Sequence, residues 1–180
     1  MAFFGLTRNP REERAGFALY GAAVAAARDP YLYETLFVPD TLDGRFDLVG
    51  IHAFLVIRRL DPIASRKSRL VAQAVFDAMF SDMDINLREI GVGDLAVSKR
   101  VRAMWEAFHG RSNAYATALA DPDPATLETA LARNVWRGEP TTTAPQLALI
   151  IRARDAALAA QPADSILAGT AHFPQAEPQP

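Results

Sequence analysis

The chain has 180 residues, half of them apolar, which suffices for the core of one domain and excludes a large multidomain enzyme. Its 19 basic and 21 acidic residues leave a net charge of −2, which argues against a dedicated nucleic-acid binder while leaving room for local basic patches. With no cysteine, the sequence excludes disulfides, thiolate metal sites, iron–sulfur ligation and thiol nucleophiles together.

The chain opens on Met-Ala-Phe-Phe-Gly-Leu6. Arg8, Arg11 and Arg14 follow this apolar stretch, the reverse of the order in a secretory signal. Residues 1–8 lack a capping signal and read as a flexible segment whose Phe3, Phe4 and Leu6 either dock on the bundle or touch another surface. A first helix is predicted from about Pro10 to Arg28. Asn9 accepts from a free backbone donor, Pro10 needs none, and Glu12 reaches back. Phe17, Tyr20, Val24 and Ala27 mark its apolar side, and Gly21 with Ala22, Ala23, Ala25 and Ala26 keep it thin for close packing. Its Ala15 to Ala27 portion is the longest stretch without Asp, Glu, Lys or Arg, thirteen residues, against the roughly 20 that a membrane span needs. The expected setting is cytoplasmic, soluble or peripheral on the inner membrane.

Asp29-Pro30 restarts the chain, and Tyr31 to Phe37 predicts a short second helix. On the third, Leu42, Phe46, Val49, Ala53, Val56 and Leu60 recur at spacings of four and three. Leu48, Ile51, Phe54, Leu55 and Ile57 fill much of the remaining circumference, so this helix is expected to be surrounded by others. After Asp61-Pro62 a fourth helix is predicted from about Ser65 to Ile90, with Phe76, Phe80, Met83, Leu87 and Ile90 on one face. Beside them, the apolar edge Val71, Val75, Met79 turns polar at Asp82 and Asn86. Gly91 suits a left-handed helix stop, and Gly91-Val-Gly93 is a tight connection. Asp94 or Ser98 is expected to cap a fifth helix with Val101, Met104, Trp105, Phe108, Tyr115 and Leu119 inward. A sixth starts at Asp123-Pro124 and reaches about Asn134. Thr143 to Gln146 resembles a capping box before a seventh.

The prediction is an all-α bundle of about six to seven helices in one domain over residues 9–160. A Pro-rich, mobile tail is expected over 161–180.

Few residues suggest catalysis. Glu106-Ala-Phe-His109 is a single Glu-x-x-His, whereas a bundle di-metal site needs two such pairs and two further Glu. His52, among Ile51, Ala53, Phe54 and Leu55, reads as a core histidine bonded to a neighbouring helix, with a haem or metal ligand as the alternative. His172 lies in the expected tail. Gly91-Val-Gly93 lacks the length and Lys-Ser/Thr ending of a phosphate loop, and no Gly-x-Ser-x-Gly occurs. Asp82 and Asn86 are expected to bond the backbone of the Gly91 to Val97 turn, the alternative being a recognition surface. Asp84 and Arg88 form an ordinary helix pair. Two basic clusters stand out: Arg58, Arg59, Arg66, Lys67 and Arg69, and then Lys99, Arg100, Arg102 and Arg111. Each is either a solvated face or a contact for anionic lipid, an acidic partner or ribosomal RNA. Arg58, Arg59, Arg66 and Lys67 are the candidate membrane surface.

The run Asp82-Met-Asp-Ile-Asn-Leu-Arg-Glu-Ile-Gly-Val-Gly-Asp94-Leu, with Ser98-Lys-Arg-Val-Arg-Ala-Met-Trp-Glu-Ala-Phe-His-Gly-Arg111, closely resembles the ubiquinol–cytochrome c chaperone family. Val38-Pro-Asp-Thr-Leu-Asp-Gly-Arg-Phe-Asp47 and His52-Ala-Phe-Leu-Val-Ile-Arg-Arg-Leu60 are similar to its opening block, so the resemblance covers about Tyr20 to Trp136. It implies an all-helical, non-enzymatic assembly factor that helps newly made cytochrome b enter respiratory complex III. A chain without a mitochondrial presequence looks like a bacterial member, for which ribosome contact is not carried over. The resemblance implies no cofactor, no DNA contact and no small-molecule substrate. It marks Asp82, Asn86, Arg88, Asp94, Lys99 and Arg100 as the partner-binding surface, with Gly91 and Gly93 shaping the bend. The competing classes are a haem- or metal-dependent oxidoreductase using His52, Glu106 and His109, and an adaptor for another membrane-complex subunit.

Overall fold

A computed structural model describes residues 10–176. The expected segment 1–8, the Asn9 cap and residues 177–180 lie outside that range. Eight α-helices follow one another among the described residues: α1 (Pro10–Ala27), α2 (Pro30–Glu34), α3 (Leu42–Leu60), α4 (Arg66–Glu89), α5 (Asp94–Ala120), α6 (Pro124–Val135), α7 (Ala144–Ala160) and α8 (Ala163–Leu167). A 3₁₀ turn, Asp61–Ile63, joins α3 to α4. The all-α expectation holds, with α8 as an additional short helix.

Local chemistry sets the boundaries. The Gly44 amide donates to Thr41 Oγ1 at 3.1 Å at the start of α3, and Ser65 and Ser68 bond each other's backbone in a capping box on α4. Asp29 and Asp123 accept from Tyr31 and Ala125 amides, each ahead of a proline in the first turn. At α7 the expected capping box is absent: the Thr143 hydroxyl instead donates to Leu36 O at 2.7 Å, tying α7 to the α2–α3 loop.

Helix α3 is central, packing on α1, α4, α5, α6, α7 and α8. Leu48, Ile51, Ala53, Leu55 and Val56 are all buried, as the all-round apolar pattern predicts. Helix α1 lies closely along α4. The residue permitting this is Gly16, where a Cβ would come within 2.4 Å of Ala74 Cβ, whereas the expected Gly21 faces open space. On α4, Val71, Val75 and Met79 form a fully buried row, not an edge. Phe76 and Phe80 face α5, their rings 5.8 and 6.1 Å from that of Phe108. Ile90, expected inward, is exposed, and so is Trp105.

The mobile tail expected from residue 161 is corrected as far as Ala176. Ile166, Leu167 and Ala176 join the core and Phe173 packs against it, and polar contacts hold the segment as well, without an apolar period to read. The Gln161 side chain donates to His172 O and accepts from the His172 amide at 2.8 and 2.9 Å. Arg154 Nε donates to Pro174 O, and the Ala176 amide donates to Asp29 Oδ2.

Candidate functional site

The predicted partner-binding residues surround the bend between α4 and α5. Val92 N–H donates to Leu87 O and Gly91 N–H to Arg88 O, the paired bonds of a Schellman stop, with Gly91 at φ +84°. The α5 N-cap is Gly93 itself, with no side-chain bond. Asp94 is the first helical residue, placed favourably at the positive end of the helix. Arg88 closes the bend: Nε donates to Asp84 Oδ2 at 2.6 Å and Nη1 to Asp94 Oδ1. The Asp84 carboxyl is held below its ordinary range by this bond from Arg88, and the Arg88 guanidinium is raised by its two carboxylate partners.

Asp82 and Asn86 do not reach the turn, contrary to expectation. Asp82 Oδ2 accepts from the Tyr20 hydroxyl of α1 at 2.6 Å, and the Asn86 amide donates back to Asp82 O at 2.7 Å. Asp82 thus fastens α1 to α4, while Asn86 bonds back within α4. Burial, then the bond to Asp82, pushes the Tyr20 hydroxyl far above its ordinary pKa, so it stays a donor. Lys99 and Arg100 are exposed and make no ion pair among the described residues. Beside them three large apolar side chains stand in solvent: Leu95 at 94% exposure, Ile90 at 61% and Ile85 at 50%. Sequence periodicity placed Ile90 inside, and nothing in the spacing singled out Leu95. The bend therefore offers a rigid tip with apolar groups set among charges.

The first basic cluster divides in the fold. Arg58 pairs with Asp155 of α7 at 3.2 Å, and Arg59 donates to Leu158 O and Gln161 O, satisfying the end of α7. Both guanidiniums thus have partners within the protein. Arg66, Lys67 and Arg69 are exposed, without ion pairs among the described residues.

Two buried charge networks escaped the sequence analysis because their partners lie far apart in the chain. Asp47, 3% exposed, pairs with Arg111 Nη1 of α5 and with Arg137 Nη2 at 2.7 Å. Burial and then the charge of Arg137 lower the Arg111 pKa. Arg154, 1% exposed, donates to Ala26 O, Pro174 O and Asp29 Oδ2, and its Nη1 lies 2.6 Å from His52 Nε2. His52 Nδ1–H donates to Leu48 O at 2.7 Å, which leaves Nε2 as the acceptor for Arg154. Burial first, and the Arg154 charge second, hold His52 down at about 3, a neutral ring across the physiological range. His52 is therefore bonded to a neighbouring helix, as the simpler expectation had it.

The residues of the oxidoreductase alternative are committed elsewhere. Glu106 accepts from Arg102 at 3.1 Å, and the exposed His109 bonds Trp105 O at 3.0 Å. Among the described residues no three His, Cys, Asp or Glu gather as metal ligands. No described helix is long and apolar enough to cross a membrane. A groove of about 600 Å³ lies between α3, α4 and α5, with Ile57, Phe76, Phe108 and Trp105 along it and Arg58 and Arg69 among its lining.

The profile of the family described as ubiquinol-cytochrome C chaperone matches residues 34–173. A solved structure described as the crystal structure of the Cbp3 homolog from Brucella abortus is similar throughout. Its TM-score is 0.81 and its identity 32%, with 91% of this chain and 90% of that chain covered. No curated protein matches.

Proposed function

The chain belongs to the ubiquinol–cytochrome c chaperone family, and from this premise we propose that it binds newly made cytochrome b on the face around the Gly91 bend. Its general role is that of an assembly chaperone for the ubiquinol–cytochrome c oxidoreductase, respiratory complex III. The observation that carries the finer reading is the exposure of Leu95, Ile90 and Ile85 at one helix junction, flanked by Arg88, Asp94, Lys99 and Arg100. Exposed apolar side chains set among charges at one bend favour protein contact.

A client segment is held there by apolar burial, while Lys99 and Arg100 select acidic neighbours. The Schellman stop and the Arg88 bridge keep the tip preformed, so little ordering cost opposes binding. The chaperone shields an intermediate without catalysis or cofactor, and no step needs nucleotide hydrolysis. Arg66 and Lys67 bring it to the anionic cytoplasmic leaflet, each cation near the surface contributing about 1 kcal/mol.

Deleting the gene and measuring the reduced cytochrome b spectrum and complex III content tests this reading. Both fall, and the wild-type gene restores them. A folded variant combining Leu95→Asp, Lys99→Glu and Arg100→Glu does not. Unchanged cytochrome b in the deletion strain contradicts the reading.

A further inference from the structure

The groove between α3, α4 and α5 lies outside the client face. At about 600 Å³ it has the size of a small-ligand site. Along α5 its lining runs from Trp105 to Ala116, roughly 16 Å at the rise of an α-helix. Phe54, Ile57, Phe76 and Phe108 make it apolar, and Trp105 stands 45% exposed on its wall. Charge at the groove is unbalanced. Asp61 is the lone carboxylate among its lining residues, against Arg58 and Arg69, and Arg66 and Lys67 share the first turn of α4 with Arg69. Arg58 is already paired with Asp155, whereas Arg66, Lys67 and Arg69 have no ion pair among the described residues.

We propose that this groove takes one acyl chain of an anionic membrane phospholipid, with the headgroup on Arg66, Lys67 and Arg69. Helices form its walls, so their backbone donors and acceptors are already bonded to one another. An extended peptide would bring backbone groups that need partners, and a helical one needs a trough about 10 Å wide. An acyl chain brings no polar group along its length, and its phosphate meets cations that nothing else neutralises. Trp105 stands at the far end of the groove from Arg69, next to His109, where the distal methylenes of a chain anchored at Arg69 would reach it. The site stands independently of the client reading, since it uses none of Leu95, Lys99 or Arg100.

The test is titration of the full chain with lauroyl-lysophosphatidylglycerol below its micelle concentration, read by tryptophan emission. Trp136 is buried, so the responding fluorophore is Trp105. The expected result is a blue shift saturating at one amphiphile per chain and lost in Trp105→Phe. Binding weakens at least about tenfold for lysophosphatidylcholine of the same chain length, and likewise for Lys67→Glu combined with Arg69→Glu. Those acidic replacements lie in the first turn of α4, where the helix dipole favours them, and an unchanged far-ultraviolet circular dichroism melt shows that the variant keeps its fold. No saturable shift, a shift that survives in Trp105→Phe, or equal affinity for the two headgroups would overturn the proposal. The last outcome would mark the groove as a charge-indifferent apolar seat for a client segment.

Discussion

Replacing Arg154 by methionine removes the shared donor of the network that joins α1, α3, α7 and the C-terminal segment. The guanidinium is 1% exposed and meets Ala26 O at 3.2 Å, Pro174 O at 3.1 Å, Asp29 Oδ2 at 3.2 Å and His52 Nε2 at 2.6 Å. Methionine fills a similar space but donates nothing, so two carbonyls and a ring nitrogen lose a partner inside the core. Asp29 retains bonds from the Tyr31 and Ala176 amides but loses its counter-charge. Breaking a buried pair by removing one partner costs about 3–5 kcal/mol. For a chain of this length that corresponds to a Tm lower by roughly 6–20 °C. Circular dichroism melting measures the loss. Hydrogen exchange should show its focus, with residues 161–176 losing protection first because Pro174 is released. A Tm within about 2 °C of the wild type, or unchanged protection over 161–176, would refute the reasoning.

Three further outcomes follow from the same contacts. His52 has its pKa lowered from 6.5 to about 3, so below pH 6.5 the unfolded chain binds a proton that the folded chain refuses. Stability contributed by His52 is therefore lost as pH falls, by up to about 1.4 kcal/mol per pH unit. Urea midpoints at pH 7 and pH 5 should differ more for the wild type than for His52→Gln, and identical differences would contradict this. At the bend, Gly91→Ala should cost about 1 kcal/mol because φ is +84°, whereas Gly93→Ser, at φ −65° with open space around it, should be neutral or stabilising by a few tenths. Equal effects in thermal melts would show that the bend geometry is misread. Asp47→Ala leaves Arg111 and Arg137 facing each other without a carboxylate and should cost about 3 kcal/mol in denaturant unfolding, against which a loss below 1 kcal/mol would count.

Helices with strong local signals were legible in the sequence. The four-three row from Leu42 to Leu60 identified α3 and its central place, and Ser65, Asp29-Pro30 and Asp123-Pro124 located helix starts. What failed has physical reasons. Periodicity reports an apolar stripe but not what opposes it, so the Val71, Val75, Met79 row looked like an edge until α1, admitted by Gly16, covered it. The segment 161–176 has too little apolar repetition to announce itself and is anchored by Gln161, Arg154 and Asp29. The family blocks were legible, yet their residues serve different ends. Asp82 fastens α1, Asn86 bonds back within α4, Arg88 closes the bend, and among the described residues only the Lys99 and Arg100 side chains of the predicted charged set show no ion pair or hydrogen bond. Asp47 and Arg111, which end two of the matching blocks, proved to be partners across 64 residues.

The decisive experiment places a photo-crosslinking residue at Leu95, at Lys99 and, as a control, at Leu149 on α7, which is also exposed. Cells assembling complex III are irradiated, and the captured proteins are identified. Cytochrome b should be captured from positions 95 and 99 and not from 149. Its absence at 95 and 99, or equal capture from 149, would contradict the assignment of the Gly91 bend as the client-holding face.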